Sequence, residues 1–310
     1  ANVPPLRVKL LRIENHEWSN AEQMQAWTEN ITQQGFEMIG DFEVQPAMME
    51  LRSFVNQETN SCAVFYEHPM VGQWLDIYSV IEDGSESFTL TTDQKNLMDA
   101  RDGHTIMRVT SLTTPAKAYE KFLKERPERD WTFIPPGEFV NRFQQSYADE
   151  MDWRVGRGGP TADEIKRISE KEGSEFNPQL VNNIQQAWKN QAGYQYEEEM
   201  LENYLAQSDL SAREWEKIRN RIIFIHQLTT ADRVMDMIEY VAINDDASDY
   251  DDAYEALQSK IKESLKQYSP EQAFDRILND YQITGRFEKA GVVEKPIRAI
   301  AYIGPEFEDE

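Results

Sequence analysis

Residues 147–164 read YADEMDWRVGRGGPTADE, and the chain changes character across them. Upstream, apolar residues alternate in short runs, as in strands; downstream they recur every three to four residues, as in helices. Within the stretch, Tyr147, Met151 and Arg154 share one helical face, with Trp153 beside them. Gly156, Gly158 and Gly159 end that helix, because glycine takes positive φ without steric cost. Thr161 and Glu164 stand at capping-box spacing and start the next. Arg154 and Arg157 lie close in sequence to Asp149, Glu150 and Asp152. The stretch therefore predicts an inter-domain joint held by a packed Trp and local ion pairs. A sharper alternative makes it a ligand or interaction site built from Tyr147, Asp152, Trp153 and Arg154. No Lys-Ser/Thr follows the glycines, as a P-loop requires, and the spacing does not fit a dinucleotide fingerprint.

Upstream of the joint, strand-like runs fall within residues 7–13, 36–44, 49–55, 62–66, 74–81, 87–92 and 105–109. Turn signals such as Asp83-Gly84 and Asp102-Gly103 separate some of them, and short connections imply antiparallel pairing. A helix opens at Ser19 with Glu22 completing a box; Met24, Trp27 and Ile31 form its stripe. A second covers 116–124, with Tyr119, Phe122 and Leu123 inward. The fold class is α+β: an N-terminal antiparallel sheet with flanking helices on one face, then an all-α domain. The order of the first part resembles the helix-grip arrangement, in which a curved antiparallel sheet wraps a long C-terminal helix. That resemblance implies an apolar cavity between sheet and helix; a packed core in the same place is the alternative.

Beyond the joint, helix starts recur at Pro178, Ser211 with Glu214, and Ser269 with Gln272. Gly193 is read as a break in the first of these helices. Trp215, Ile218, Ile222 and Ile225 read as one core-facing stripe, with His226 a satisfied core or interface histidine on the same helix. Residues 292–303 are β-branched enough to be extended, adding an edge strand. The predicted division is 1–130 for the sheet domain, 131–160 for connector and joint helix, and 161–310 for the helical domain with its tail.

The net charge is −24, from 56 acidic and 32 basic side chains among 310 residues. Such a surface repels phosphate backbones and anionic headgroups, which argues against nucleic acid as a partner and admits a basic partner or a divalent cation. No run approaches the roughly 20 apolar residues of a membrane span, so direct membrane insertion is not expected. Cys62, the single cysteine, excludes an intrachain disulfide and reads as an inert thiol inside the run CAVFY. The chain opens on Ala1 rather than Met, and the expectation is a soluble cytoplasmic or periplasmic protein, the latter after removal of a signal or anchor.

Among chemical constellations, the loop at Asn244 comes nearest to a metal site. In an EF-hand frame Asn244, Asp246, Ser248, Asp252 and Glu255 occupy oxygen-ligand positions for calcium, although Asp249 stands where that loop needs glycine. No other cofactor is indicated. Glu67, His68 and Asp76 form an acid/base candidate across a hairpin, yet neighbouring Glu67 and His68 point to opposite sheet faces, which favours His68 as an exposed turn residue. No nucleophile elbow or zinc-protease spacing is present. The leading expectation is a bacterial-type, non-enzymatic binding or interaction scaffold with a protein partner. The alternatives are a carrier of a small apolar ligand in the N-terminal domain, and a carboxylate-dependent enzyme at the joint using Asp152 or Glu150.

Overall fold

The computed structural model of the chain describes residues 3–110, 112–243 and 249–306. It divides into two compact units, Pro4–Asn182 and Asn183–Glu310, the latter taking in Ala1–Val3.

The first unit is built on one seven-stranded sheet whose strands lie side by side in chain order. They are β1 (Lys9–Ile13), β2 (Glu37–Gln45), β3 (Met49–Asn56), β4 (Ser61–His68), β5 (Gly72–Val80), β6 (Ser87–Thr91) and β7 (His104–Arg108). The α+β class stands as the sequence predicts. Neighbouring strands are antiparallel except β6 and β7, which are parallel. The exception follows from length: residues 92–103 give the dozen-residue crossover that parallel pairing needs.

Helices cover both faces of this sheet rather than one. Met24 and Ile31 of α1 (Ala21–Thr32) and Ala118, Tyr119 and Phe122 of α2 (Pro115–Glu125) pack on Phe54, Phe65, Leu75 and Leu90. On the opposite face, Phe139 and Phe143 of α3 (Phe139–Gly156) pack among Leu51, Cys62, Val64 and Tyr66. The two-residue period of β4 decides this: Cys62, Val64 and Tyr66 point one way, Ala63 and Phe65 the other, and all five are buried. Leaving either apolar face in water would cost about 1.5–3 kcal/mol for each large side chain. Cys62 is accordingly inert, with burial pushing its thiol up to about 12 and a hydrogen bond with Tyr78 opposing that only in part.

α3 therefore belongs to the sheet, and so does α4 (Ala162–Glu172), whose Glu164 bonds back to Asp99 and Arg157. The compact units divide at residues 182 and 183, further along the chain than the predicted boundaries at 130 and 160. At the start of α1 the cap is Asn20, accepting from the Gln23 N–H; Ser19 donates to the Glu67 carboxylate instead.

The second unit is helix-rich but not all-α. α5 (Pro178–Gln207) runs unbroken through Gly193, and α6 (Ala212–Ile218), α7 (Ala231–Ala242), α8 (Tyr250–Gln267) and α9 (Pro270–Asp280) follow. Between them Ile222–His226 form a strand, β8, where the sequence reading has helix. Arg221 N bonds to the Ile218 carbonyl and closes the helix there, freeing the β-branched run to pair. With β9 (Glu288–Val293) and β10 (Ala299–Ile303) it makes a three-stranded antiparallel sheet with β10 in the middle, so the predicted tail strand is central rather than an edge. Among the described residues no helix is long and apolar enough to cross a membrane.

Candidate functional site

The α3 face of the sheet is filled at one end and open at the other. Between β5–β7 and α3 lies a cleft of about 350 Å³. The helix-grip resemblance implies a cavity under the helix read at 116–124, but that face is packed by Ala118, Tyr119 and Phe122. The cleft lies on the opposite face, against α3, and its volume is at the lower end of small-molecule sites. Its walls mix Tyr66, Tyr78, Val80, Ile106 and Phe143 with polar groups, so it is not purely apolar.

The alternation of β5 puts Trp74, Asp76, Tyr78 and Val80 on this face. Asp76 is thus a carboxyl in a row of aromatic and aliphatic side chains. Across the ladder it meets Val64 on one side and Thr91 on the other. Its Oδ1 is out of solvent contact and has no hydrogen-bond partner. Burial raises its pKa from 3.8 to about 7; the Thr91 hydroxyl opposes this, Asp93 adds to it and Arg108 opposes it. Tyr66, stacked on Trp74 at 4.7 Å, and Tyr78 stand beside it, and burial pushes both phenols well above their ordinary range.

At the far end of the cleft, His104 Nδ1 shares a 2.6 Å hydrogen bond with the Ser87 hydroxyl, its partner in the parallel ladder. His104 Nε2 is buried without a partner. Burial, then the neighbouring Arg101, lowers its pKa against the pull of Asp149, so the ring is neutral at pH 7. Val80, Ser87 and His104 share one row and Asp76, Thr91 and Arg108 another. The unpartnered groups thus stand about 13 Å apart along the strands and about 10 Å apart across them.

α3 supplies the opposite wall. Arg142 donates to the Glu82 carbonyl at 2.7 Å and to its carboxylate at 2.9 Å. Arg101 donates to the Gly84 carbonyl at 3.2 Å and lies 3.7 Å from Asp149 and 4.0 Å from Glu150. The turn before β7 needs Gly103, where φ is +81° and an added Cβ would strike the Ser85 carbonyl oxygen. Gly103→Ala is therefore expected to cost about 2 kcal/mol of stability, read as a lower urea midpoint; an unchanged midpoint would contradict that strain.

Of the residues singled out in sequence, Tyr147 lines this cleft, its hydroxyl donating to the Pro5 carbonyl at 2.8 Å and its pKa pushed by burial to about 12. Asp152, Trp153 and Arg154 do not line it. Asp152 holds Arg7 through two contacts of 2.8 and 3.1 Å. The Trp153 ring lies 4.1 Å from the Arg157 guanidinium. Arg154 donates to Glu150 and to the Asp99 carbonyl, and reaches Glu164 at 3.5 Å. Gly158 and Gly159 turn their N–H groups into the end of α3, bonding the Val155 and Arg154 carbonyls. The joint is thus an ion-pair network in which Arg157 Nε is buried without a hydrogen-bond partner, and through Asp99 it anchors the 92–103 crossover that carries Arg101.

Asn244, Asp246 and Ser248 of the calcium frame lie outside the described residues; Asp252 and Glu255 stand in the first turns of α8. Among the described residues no group of three or more His, Cys, Asp or Glu is placed to hold a metal ion. His68 caps its own turn, its Nδ1 accepting from the Met70 and Val71 N–H groups. Glu67 faces Ser19, on the side of the sheet away from Asp76, so the hairpin acid/base pairing does not form. In the second unit His226 sits on a strand and accepts from the Leu228 N–H, but its Nε2 has no hydrogen-bond partner and lies 3.5 Å from Glu197.

Sequence reasoning missed Asp76, His104 and Arg101 as members of one site. A signal for Asp76 exists: a lone carboxyl between Trp74 and Tyr78 breaks the period-two pattern of a strand whose other residues are apolar on that face. No known family model matches the chain, and comparison with curated proteins and with solved structures gave no match.

Proposed function

We propose that the first unit binds a small organic molecule with an apolar body, seated between β5–β7 and α3. The observation that carries this is the cleft with a buried, unpartnered carboxyl oxygen of Asp76 in its lining. A side chain that only filled the core would be apolar or fully bonded there, since a buried unpartnered polar group costs stability. The pairing of Asp152, Arg154 and Glu150 within the joint weighs against a partner surface or a catalytic carboxylate at that place. The reading is one of binding rather than catalysis, because Asp76 and His104 stand too far apart in the ladder to share one reacting atom.

The test uses the neutral fluorescent dye N-phenyl-1-naphthylamine. Wild-type protein is expected to bind it at micromolar concentration with enhanced emission. Thr89 points into the middle of the cleft, and Thr89→Trp is expected to fill the space and abolish the enhancement while leaving the circular dichroism spectrum unchanged. No dye binding, or equal binding by the folded variant, would remove this reading.

A further inference from the structure

We propose that the ligand of this cleft is an organic ammonium ion, an aromatic or aliphatic body whose protonated amine donates to Asp76. The inference rests on the ligand-binding reading above and adds the charge of the ligand and the atom that receives it.

The first argument is charge. Five carboxyl side chains line the cleft, Asp76, Glu82, Asp83, Asp149 and Glu150, against two guanidinium groups, Arg101 and Arg142. Both guanidiniums are engaged, Arg142 by Glu82 and Glu138, Arg101 by Gly84, Asp149 and Glu150. Asp76 has no ion-pair partner among the described residues. An anionic ligand would meet an excess of negative charge and no free cation. A neutral ligand would leave Asp76 either protonated or buried as an unpaired charge. A cation supplies what the site lacks.

The second argument is surroundings. Tyr66 and Tyr78 stand on either side of Asp76, and Phe143 and Tyr147 face the same space from α3. Aromatic faces beside a carboxylate hold an ammonium through cation–π attraction while the carboxylate takes its N–H. Val80, Ile106 and Ile134 line the remaining length and suit an apolar body.

Binding then carries a proton signature. The titratable groups around Asp76 are Tyr66 from β4, Tyr78 from β5, Asp93 after β6 and Arg108 from β7, while Tyr147, Asp149 and Glu150 of α3 line the same cleft. Arg108 is tied to the Asn96 carbonyl at 3.0 and 2.6 Å, so it does not reach over to neutralise the carboxyl. Both phenols stay protonated, and His104 stays neutral above its lowered pKa. An ammonium favours the ionised form of Asp76, so binding below pH 7 releases a proton and affinity rises from pH 6 to pH 8.

Isothermal titration calorimetry on the full chain tests this with phenethylammonium, its neutral isostere 2-phenylethanol, and the anion 3-phenylpropionate. The expected result at pH 8 is at least a tenfold preference for the ammonium over both others. Asp76→Asn is expected to erase that preference, and at pH 6 the wild-type heat is expected to vary with the ionisation enthalpy of the buffer as a proton is released. Equal or tighter binding of the alcohol or the carboxylate overturns the inference, as does no binding of the ammonium. If the dye still enters the wild-type cleft while the ammonium does not, the charge assignment falls and the binding reading stands; if neither enters, both fall.

Discussion

Glu164→Ala is expected to destabilise the protein by about 3–5 kcal/mol, the range seen when one partner of a buried charge network is removed. Glu164 is fully buried. Its carboxylate takes two contacts from Arg157 at 2.6 and 2.7 Å, one from Arg154 at 3.5 Å, and the N–H groups of Asp99 and Thr161 at 2.6 Å each. Burial alone would raise its pKa; Arg157 and the Thr161 and Asp99 N–H groups more than offset that and hold it below 4.5. Alanine leaves two guanidiniums near each other without their shared counter-charge and removes the acceptor of the Asp99 and Thr161 N–H groups. Glu164→Gln keeps an acceptor and loses the charge, so its loss is expected to be smaller. Urea titration followed by tryptophan fluorescence reads both, and a change under about 1 kcal/mol for alanine would show that water replaces the carboxylate. The pH dependence has a fixed sign. A carboxyl whose folded pKa is lowered contributes stability above its ordinary value of 4.5 and loses it as the pH falls through the folded value. Wild type should therefore lose more stability than Glu164→Gln on acidification below about pH 4.5.

How much of this was legible depended on the range of the interaction. The capping box of Thr161 and Glu164 is a contact over three residues, and it was readable and is present. That Arg154 and Arg157 converge on Glu164, rather than on Asp149, Glu150 and Asp152 alone, follows from the direction in which the turn sends α4, which composition does not encode. The strands of the first unit were legible because period-two alternation is local. The second covered face was not, because it depends on where α3 lands; the unbroken apolar run of residues 62–66, CAVFY, is its trace in the sequence. β8 was misread as helix because a five-residue apolar run has no period to judge by, and its pairing with β10 joins residues over 70 positions apart. His104 and Asp76 belong to one cleft through a parallel pairing that a dozen-residue crossover permits, and nothing within either segment announces it.

Asp76 has the largest consequence that runs against stability. In the unfolded chain it ionises near 3.8, in the folded protein at about 7. Between those values the unfolded chain has given up a proton that the folded protein keeps, so stability falls as pH rises through that window and stays reduced above it. At 1.36 kcal/mol per pH unit the ceiling is about 4 kcal/mol, and water in the cleft screens part of it, leaving an expected cost of about 2–4 kcal/mol. Asp76→Asn keeps the shape and has no proton to lose. Its stability should match wild type at pH 4 and exceed it by about 2–4 kcal/mol at pH 8. Urea midpoints of both proteins across pH 4–8 measure the difference, in which every other titrating group cancels. A variant that is less stable than wild type at pH 8 would mean that the carboxylate is held by a partner, and the charge-deficient cleft would then be the wrong description. A gain at pH 8 would mark a residue that folding alone would have discarded, as expected where stability is given up to a binding site.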